Sequence, residues 1–282
     1  MTGVTNLLQS PAPAYGPIAL VTGASDGIGR AFARELARRG YNLVLVARRK
    51  AQLDALANEL DLGNRTLCTV IAADLGRPEG IAAVLEQTAA RDIGLLVAAA
   101  GFGTSGNFID QPLDAELEMI DVNCRAVAAL THGFGQRFAA RGGGGIVLMS
   151  SIVGFQGVPR AANYAATKAF VQSLAEGLRP ELAAKGVDIV ACAPGPIASG
   201  FAARANMVMN RCDPPEVVAA ETLDALGRKG IVRPGLLAKL LEAAFTGMPR
   251  WGRVKIMTLV MRGMARGKSG VAADAAAEVS RP

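Results

Sequence analysis

Residues 17–30 read PIALVTGASDGIGR. A short run that is apolar throughout gives way to three glycines, Gly23, Gly27 and Gly29, and then to helical spacing from Gly27 to about Arg39. This predicts a strand buried on both faces, a tight turn, and a helix that opens on the turn, which is the first half of a βαβ unit. Glycine suits such a turn because a phosphate can approach the unpaired N–H groups of the helix N-terminus, where the helix dipole also favours an anion.

The same rhythm continues down the chain. Apolar β-rich runs at 42–48 (NLVLVAR), 66–72 (TLCTVIA), 93–99 (IGLLVAA), 144–151 (GGIVLMSS) and 187–195 (VDIVACAPG) alternate with helical patterns near 50–60, 78–91, 113–140 and 162–184. Repeated strand-helix units predict an α/β fold, a doubly wound parallel sheet flanked by helices. After Ser199 the pattern changes to a Met-containing stretch, a Pro-started helix from about 215, a strand candidate in GIVRPG (230–235) and two more helical segments. The expected organisation is a tail over 1–16, one domain over 17–265 whose last part from about 200 forms a helical cover, and a tail over 266–282.

Composition narrows the function. The 282 residues are 51% hydrophobic with 33 Gly but only 5% aromatic, which fits close helix-on-sheet packing. No run reaches the ~18 apolar residues of a membrane span, and the start lacks the charged and apolar regions of a signal peptide, so a cytoplasmic protein is expected. The charge of +6 is spread out without Lys/Arg blocks in the first two hundred residues, which argues against nucleic acid as a partner. Cys68, Cys124, Cys192 and Cys212 are far apart and His132 is the one histidine, so no metal site is expected.

The glycine turn has the spacing G-x-x-x-G-x-G, a relative of the dinucleotide-binding turn. Gly23–Gly27 also satisfies the G-x-S-x-G elbow of hydrolases, but that reading needs a late histidine, and His132 lies mid-chain in a helical pattern. An NAD-preferring turn expects an acid about twenty residues on. Here the second strand ends in Ala47, Arg48, Arg49 and Lys50. Cations in place of the acid suit a 2′-phosphate, which favours NADP(H) over NAD(H).

Further on, NYAATKAF (163–170) places Tyr164 and Lys168 four apart, on one face of a helix. With the glycine turn upstream and this pair downstream, residues 17–200 resemble the short-chain dehydrogenase/reductase family. The resemblance implies a Rossmann-type sheet of about seven parallel strands and maps the family's catalytic groups onto Asn123, Ser151, Tyr164 and Lys168. It also implies cofactor contacts from Gly23, Ser25, Asp26, Gly27, Ile28 and Gly29 in the turn, and from Asp74 and Leu75 after the third strand. Further cofactor contacts follow from Ala100 and Gly101 after the fourth strand, and from Pro194, Gly195, Ile197 and Ser199 after the sixth, alongside Arg48, Arg49, Tyr164 and Lys168. The family's Asn-Asn-Ala-Gly is Ala98-Ala99-Ala100-Gly101 here, so two side-chain amides are missing.

The implied chemistry is hydride transfer between NADP(H) and a carbonyl or alcohol. Tyr164 would be the proton donor, its phenol made more acidic by the Lys168 ammonium, Ser151 would bond the carbonyl oxygen, and Asn123 would anchor a relay water. Phe102, Phe155, Val158, Phe201 and Met207 are the candidate pocket walls. They are apolar, so a hydrophobic ketone, aldehyde or alcohol, with 3-oxoacyl compounds in that class, is the expected small-molecule substrate. The family resemblance also implies a homodimer or homotetramer. Residues 249–268 form a basic amphipathic pattern that fits a lid, an oligomer contact or a peripheral membrane contact. The alternative reading is a non-catalytic NADP(H)-binding redox sensor on the same fold.

Overall fold

The structure is a computed structural model that describes residues 14–200, 212–245 and 247–259. Seven parallel strands form one sheet in the order β3-β2-β1-β4-β5-β6-β7. In chain order, β1 (Ile18–Thr22), α1 (Gly27–Arg38), β2 (Asn42–Ala47), α2 (Lys50–Asn64), β3 (Cys68–Ala72), α3 (Pro78–Gln87) and β4 (Ile93–Ala98) make the first half. They are followed by α4 (Leu113–Ile120), α5 (Ala126–Arg141), β5 (Gly144–Met149), α6 (Ala162–Ala183), β6 (Val187–Cys192), α7 (Pro215–Ala225), β7 (Ile231–Val232) and α8 (Leu236–Phe245). A further helical run covers 250–259.

The strands read as continuous apolar runs because both faces of the sheet are covered. Ala19, Val21, Leu43, Leu45, Leu95 and Val97 face a layer that includes Phe32 and Leu36 of α1, Leu53 and Leu56 of α2, and Val218 of α7. Their neighbours Leu20, Val44, Val46 and Leu96 face the opposite layer, where Phe134 and Phe138 of α5 and Val171 and Ala175 of α6 fill the space. The period-two alternation along each strand feeds both cores, and burying these large side chains supplies the main stabilising term.

The chain builds outward from β1 to β3 and then crosses back to start β4 on the other side of β1. At that reversal the loops leaving β1 and β4 diverge, which opens a crevice at the carboxyl ends of the strands, the usual ligand position in such sheets. The long helix expected over 113–140 is two helices joined by a π-helical stretch at Asp121–Arg125. Apolar spacing at 3.6 residues per turn does not report one wide turn inside a continuous helix, so the sequence pattern passes over it. The wide turn carries Asn123, and π-bulges of this kind are frequent at functional sites. No helix among the described residues is long and apolar enough to cross a membrane.

Candidate active site

The turn after β1 builds the floor of the crevice. Gly23 and Gly27 have φ of +68° and +51°, conformations that L side chains rarely adopt. Asp26 caps α1, its Oδ1 accepting from Gly27 N at 2.7 Å. Gly29 is required by space: a Cβ there would lie 2.3 Å from the carbonyl oxygen of Gly23. The helix start is thereby drawn against the strand end, with its N-terminal amides facing the crevice.

The crevice has a volume of about 500 Å³. Of the sequence-predicted cofactor residues, Gly23, Ser25, Asp26, Gly27, Ile28 and Gly29 line it. So do Arg48 and Arg49, Asp74 and Leu75, Ala100 and Gly101, and Ser199. Pro194, Gly195 and Ile197 do not line it. Pro194 O instead accepts from Ile152 N at 3.2 Å, and Ile197 is buried in a bridge to Asp213. Ser199 closes against the turn, its Cβ 3.0 Å from where a Cβ on Gly27 would stand.

At the outer end, Arg48 Nη1 is 2.9 Å from Glu118 Oε1 of α4, and Arg49 Nη2 donates to Ser25 Oγ at 3.1 Å. Arg49 Nη2 also lies 3.8 Å from Asp26 Oδ2, and both guanidinium groups are about half-exposed at the rim of the crevice. Asp74 Oδ1 accepts from Gly76 N at 3.0 Å, which shapes the turn after β3. The strand-end position left by Ala98 and Ala99 is stitched by Thr22, whose Oγ1 accepts from Ala100 N at 3.0 Å and donates to Val97 O at 3.5 Å. Thr22 is a residue that sequence reasoning missed: it stands immediately before Gly23, which faces Ala100, at the end of an apolar strand that gives no chemical signal.

Tyr164 and Lys168, also expected to touch the cofactor, do not line the crevice either, nor do Asn123 and Ser151; Asn123 and Lys168 stand behind its Gly101 end. A Cβ on Gly101 would stand 3.0 Å from Asn123 Oδ1 and 3.4 Å from Lys168 Nζ, so the glycine leaves room for both. Tyr164 and Lys168 share one face of α6, with the Lys168 Nζ 5.7 Å from the Tyr164 ring centroid. Ser151 and the Tyr164 hydroxyl share a hydrogen bond, and Ser151 Oγ also accepts from Val153 N at 3.4 Å. Asn123 pins the loop after β4: its Oδ1 accepts from Phe102 N at 3.1 Å, and its Nδ2 donates to Phe102 O at 2.9 Å and Thr167 Oγ1 at 3.1 Å.

In the cofactor-free protein the Lys168 ammonium alone does not acidify the phenol. Burial pushes the Tyr164 phenol well above its ordinary value, and the hydrogen bond from Ser151 offsets this only in part. Lys168 does not point its charge at the phenol; it donates to Met149 O at 2.8 Å. Burial also pulls its ammonium from 10.5 down to about 8, against smaller upward effects from Cys124 and Cys192. Between those two values the unfolded chain keeps a proton that the folded chain has released, so stability rises with pH across that window. Relative to Lys168→Met, which does not titrate, the cofactor-free wild type should gain about 3 kcal/mol between pH 8 and 10.5. Urea unfolding of both proteins at the two pH values checks this, and an unchanged difference contradicts it.

The candidate pocket walls divide. Phe102 is buried with Met119 and Val122 against one side of Tyr164. Val158 is 1% exposed in a second cluster with Ala161, Ala165, Phe245 and Met257, which meets Tyr164 from another side. Phe155 is half-buried under the Arg233 guanidinium, 4.5 Å from the ring centroid. Phe201 and Met207 lie outside the described residues. Met119, Val122, Phe245 and Met257 were not singled out as walls, since helical apolar spacing alone does not separate a pocket wall from core. Within the segment expected to be a lid, oligomer contact or membrane contact, Met257 is spent on the Val158 cluster, while Trp251 is exposed beneath the Lys255 ammonium.

Residues 17–209 match the family model described as short chain dehydrogenase. Among curated proteins, the chain is 34% identical over 214 residues to the very-long-chain 3-oxoacyl-CoA reductase-A of Danio rerio. It is 32% identical over 220 residues to the inactive hydroxysteroid dehydrogenase-like protein 1 of Mus musculus. These alignments cover 74% and 76% of this chain and 67% and 66% of the relatives, so about a third of each relative has no counterpart. Among solved structures, a short-chain dehydrogenase from Sphingobium yanoikuyae in complex with NADPH is similar with a TM-score of 0.73 at 33% identity, covering 82% of this chain and 94% of that one. The bulky-bulky ketone specific alcohol dehydrogenase from Comamonas testosteroni is similar with a TM-score of 0.71 at 33% identity, covering 84% and 96%. A seven-stranded parallel sheet, a glycine turn at its switch point and a family match over two thirds of the length lead to one assignment: the chain belongs to the short-chain dehydrogenase/reductase family of oxidoreductases.

Proposed function

We propose that this protein is an NADP(H)-dependent reductase of bulky, apolar ketones, with Tyr164 as the proton donor. The observation that carries the reading is the setting of the Tyr164 hydroxyl: it is bonded to Ser151, and the ring is packed by two apolar clusters, one of which, through Phe102 and Val122, also lines the phosphate-competent crevice. The glycine turn fits a dinucleotide because a side chain at Gly29 would meet backbone. When bound, NADPH supplies a hydride to the carbonyl carbon.

The protein's own residues do the rest. As the C=O π electrons move onto oxygen, the Tyr164 O–H bond breaks and its proton passes to that oxygen. Ser151 Oγ, held by Val153 N, bonds the same oxygen and fixes its position. A phenol held high by burial is fully protonated at neutral pH, which suits the reducing direction. The Tyr164 phenolate then recovers a proton from the Lys168 side, where the Asn123 Oδ1 keeps one lone pair for a relay water. Walls of Phe102, Met119, Val122, Val158 and Phe245 exclude water and accept an apolar substituent on each side of the carbonyl. The names of the Danio and Comamonas relatives, a long-chain acyl reductase and a bulky-ketone dehydrogenase, support an apolar substrate class.

Cofactor choice rests on Arg48 and Arg49. Two charge-assisted hydrogen bonds to a 2′-phosphate are each worth about 1.5–3 kcal/mol. The double variant Arg48→Ala/Arg49→Ala should therefore weaken NADPH binding by about 100-fold or more and change NADH binding by less than about threefold. Fluorescence titration of both dinucleotides measures this, and equal losses would contradict the preference. The activity itself is tested by the loss of NADPH absorbance over a panel of aliphatic and aromatic ketones. A binder without turnover is the second reading, favoured by the name of the mouse relative, and NADPH binding with no ketone reduced would select it.

A further inference from the structure

Glu116 is 3% exposed, yet its carboxylate meets no cation among the described residues. Its Oε1 accepts from Thr104 Oγ1 at 2.6 Å, and its Oε2 accepts from Asn163 Nδ2 at 2.7 Å. Asn163 Nδ2 also donates to the Glu116 backbone carbonyl at 3.0 Å. Three segments are joined at this one side chain: the loop after β4, the helix α4, and the first turn of α6. A buried carboxylate costs several kcal/mol unless its hydrogen bonds are made, so such a group calls for a compensating role.

The start of α6 shows what that role is. Its N-cap is Ala161, and no side chain caps the helix. Tyr164 lies in that uncapped first turn, where four N–H groups lack helical partners and fraying is easiest. Among the described residues, Asn163, the residue before the proton donor, makes its side-chain hydrogen bonds to Glu116. We infer that Glu116 is a positioning residue: through Asn163 it holds the first turn of α6 and thus the Tyr164 hydroxyl, and through Thr104 it sets the loop that carries Phe102. The inference rests on the reading of Tyr164 as proton donor.

A displacement of the reacting group by about 1 Å costs on the order of 100-fold in rate. Glu116→Leu, close in volume, should lower kcat for an apolar ketone by about 10- to 100-fold while the NADPH Kd stays within about twofold, because the glycine turn is untouched. Glu116→Gln keeps an oxygen for Asn163 and offers an NH2 to the Thr104 hydroxyl, so it should recover most of the kcat lost in the leucine variant. Asn163→Ala removes the tether from the α6 side, and if Glu116→Leu does not fold it carries the test alone. The double variant Glu116→Leu/Asn163→Ala should lose no more than the worse single variant, since both cut one connection.

The measurements are single-turnover ketone reduction, NADPH titration and thermal unfolding. Wild-type kcat in both Glu116→Leu and Asn163→Ala, or additive losses in the double variant, would overturn the inference. So would parallel losses of NADPH affinity and kcat, which mark general destabilisation. A wild type that binds NADPH but reduces no ketone sinks the proposed activity instead, and the two failures are thus told apart.

Discussion

Tyr164→Phe should lower kcat for an apolar ketone by about 10²–10⁴-fold, the range a positioned general acid supplies, and leave the NADPH Kd unchanged. The substitution removes one oxygen and keeps the ring that packs between the Phe102 and Val158 clusters, so packing is nearly preserved. What disappears is the proton donor and its hydrogen bond to Ser151. The alkoxide formed by hydride addition would have to draw its proton from water in a site walled by apolar side chains. Ser151 would remain to bond the oxygen, which is why a residual rate above background is expected. Paired measurements of kcat and of NADPH affinity check this, and a parallel fall in both would point to a structural role for Tyr164.

Gly29→Ala should weaken NADPH binding by at least about 100-fold. The new Cβ would lie 2.3 Å from Gly23 O and 2.6 Å from Gly23 C, both backbone atoms that no rotamer change can move aside. Either α1 shifts outward or the turn opens, and each displaces the N-terminal amides from a pyrophosphate. Overpacking of this kind also costs about 1–3 kcal/mol of stability. Gly177→Ala is the control: that glycine is exposed in α6 with nothing within 4 Å, so alanine should stabilise the helix by about 0.5–1 kcal/mol and leave binding alone. Titration calorimetry with NADPH on both variants measures the contrast, and intact binding in Gly29→Ala would contradict the close-packed turn.

The sheet was legible because its strands are buried on both faces, so runs such as IALVT and IGLLVA stand out without any alternation. The glycine turn was legible because backbone geometry demands glycine at particular offsets, and the pairing of Tyr164 with Lys168 because i and i+4 share a helix face. The π turn at Asp121–Arg125 was not, because one residue of extra winding leaves the apolar pattern on either side intact. The electrostatics of the cofactor-free site was not legible for a similar reason. Proximity of an ammonium to a phenol can be read from spacing, but the burial that raises Tyr164 and lowers Lys168 is set by tertiary packing, for Tyr164 in part by Phe245 and Met257 from distant segments. Glu116 gave no signal at all, since its partners Thr104 and Asn163 are 12 and 47 residues away.

Deuterium transfer decides the question of chemistry most directly. NADPH carrying deuterium at the nicotinamide C4, prepared with the label on each face in turn, is incubated with the wild-type protein and a bulky apolar ketone. The alcohol formed should carry deuterium on its carbinol carbon from one of the two labelled forms and not from the other, with a lowered rate for the form that transfers. NADPH that binds yet delivers label to no ketone, or an alcohol whose carbinol hydrogen comes from solvent, would contradict hydride transfer at this site.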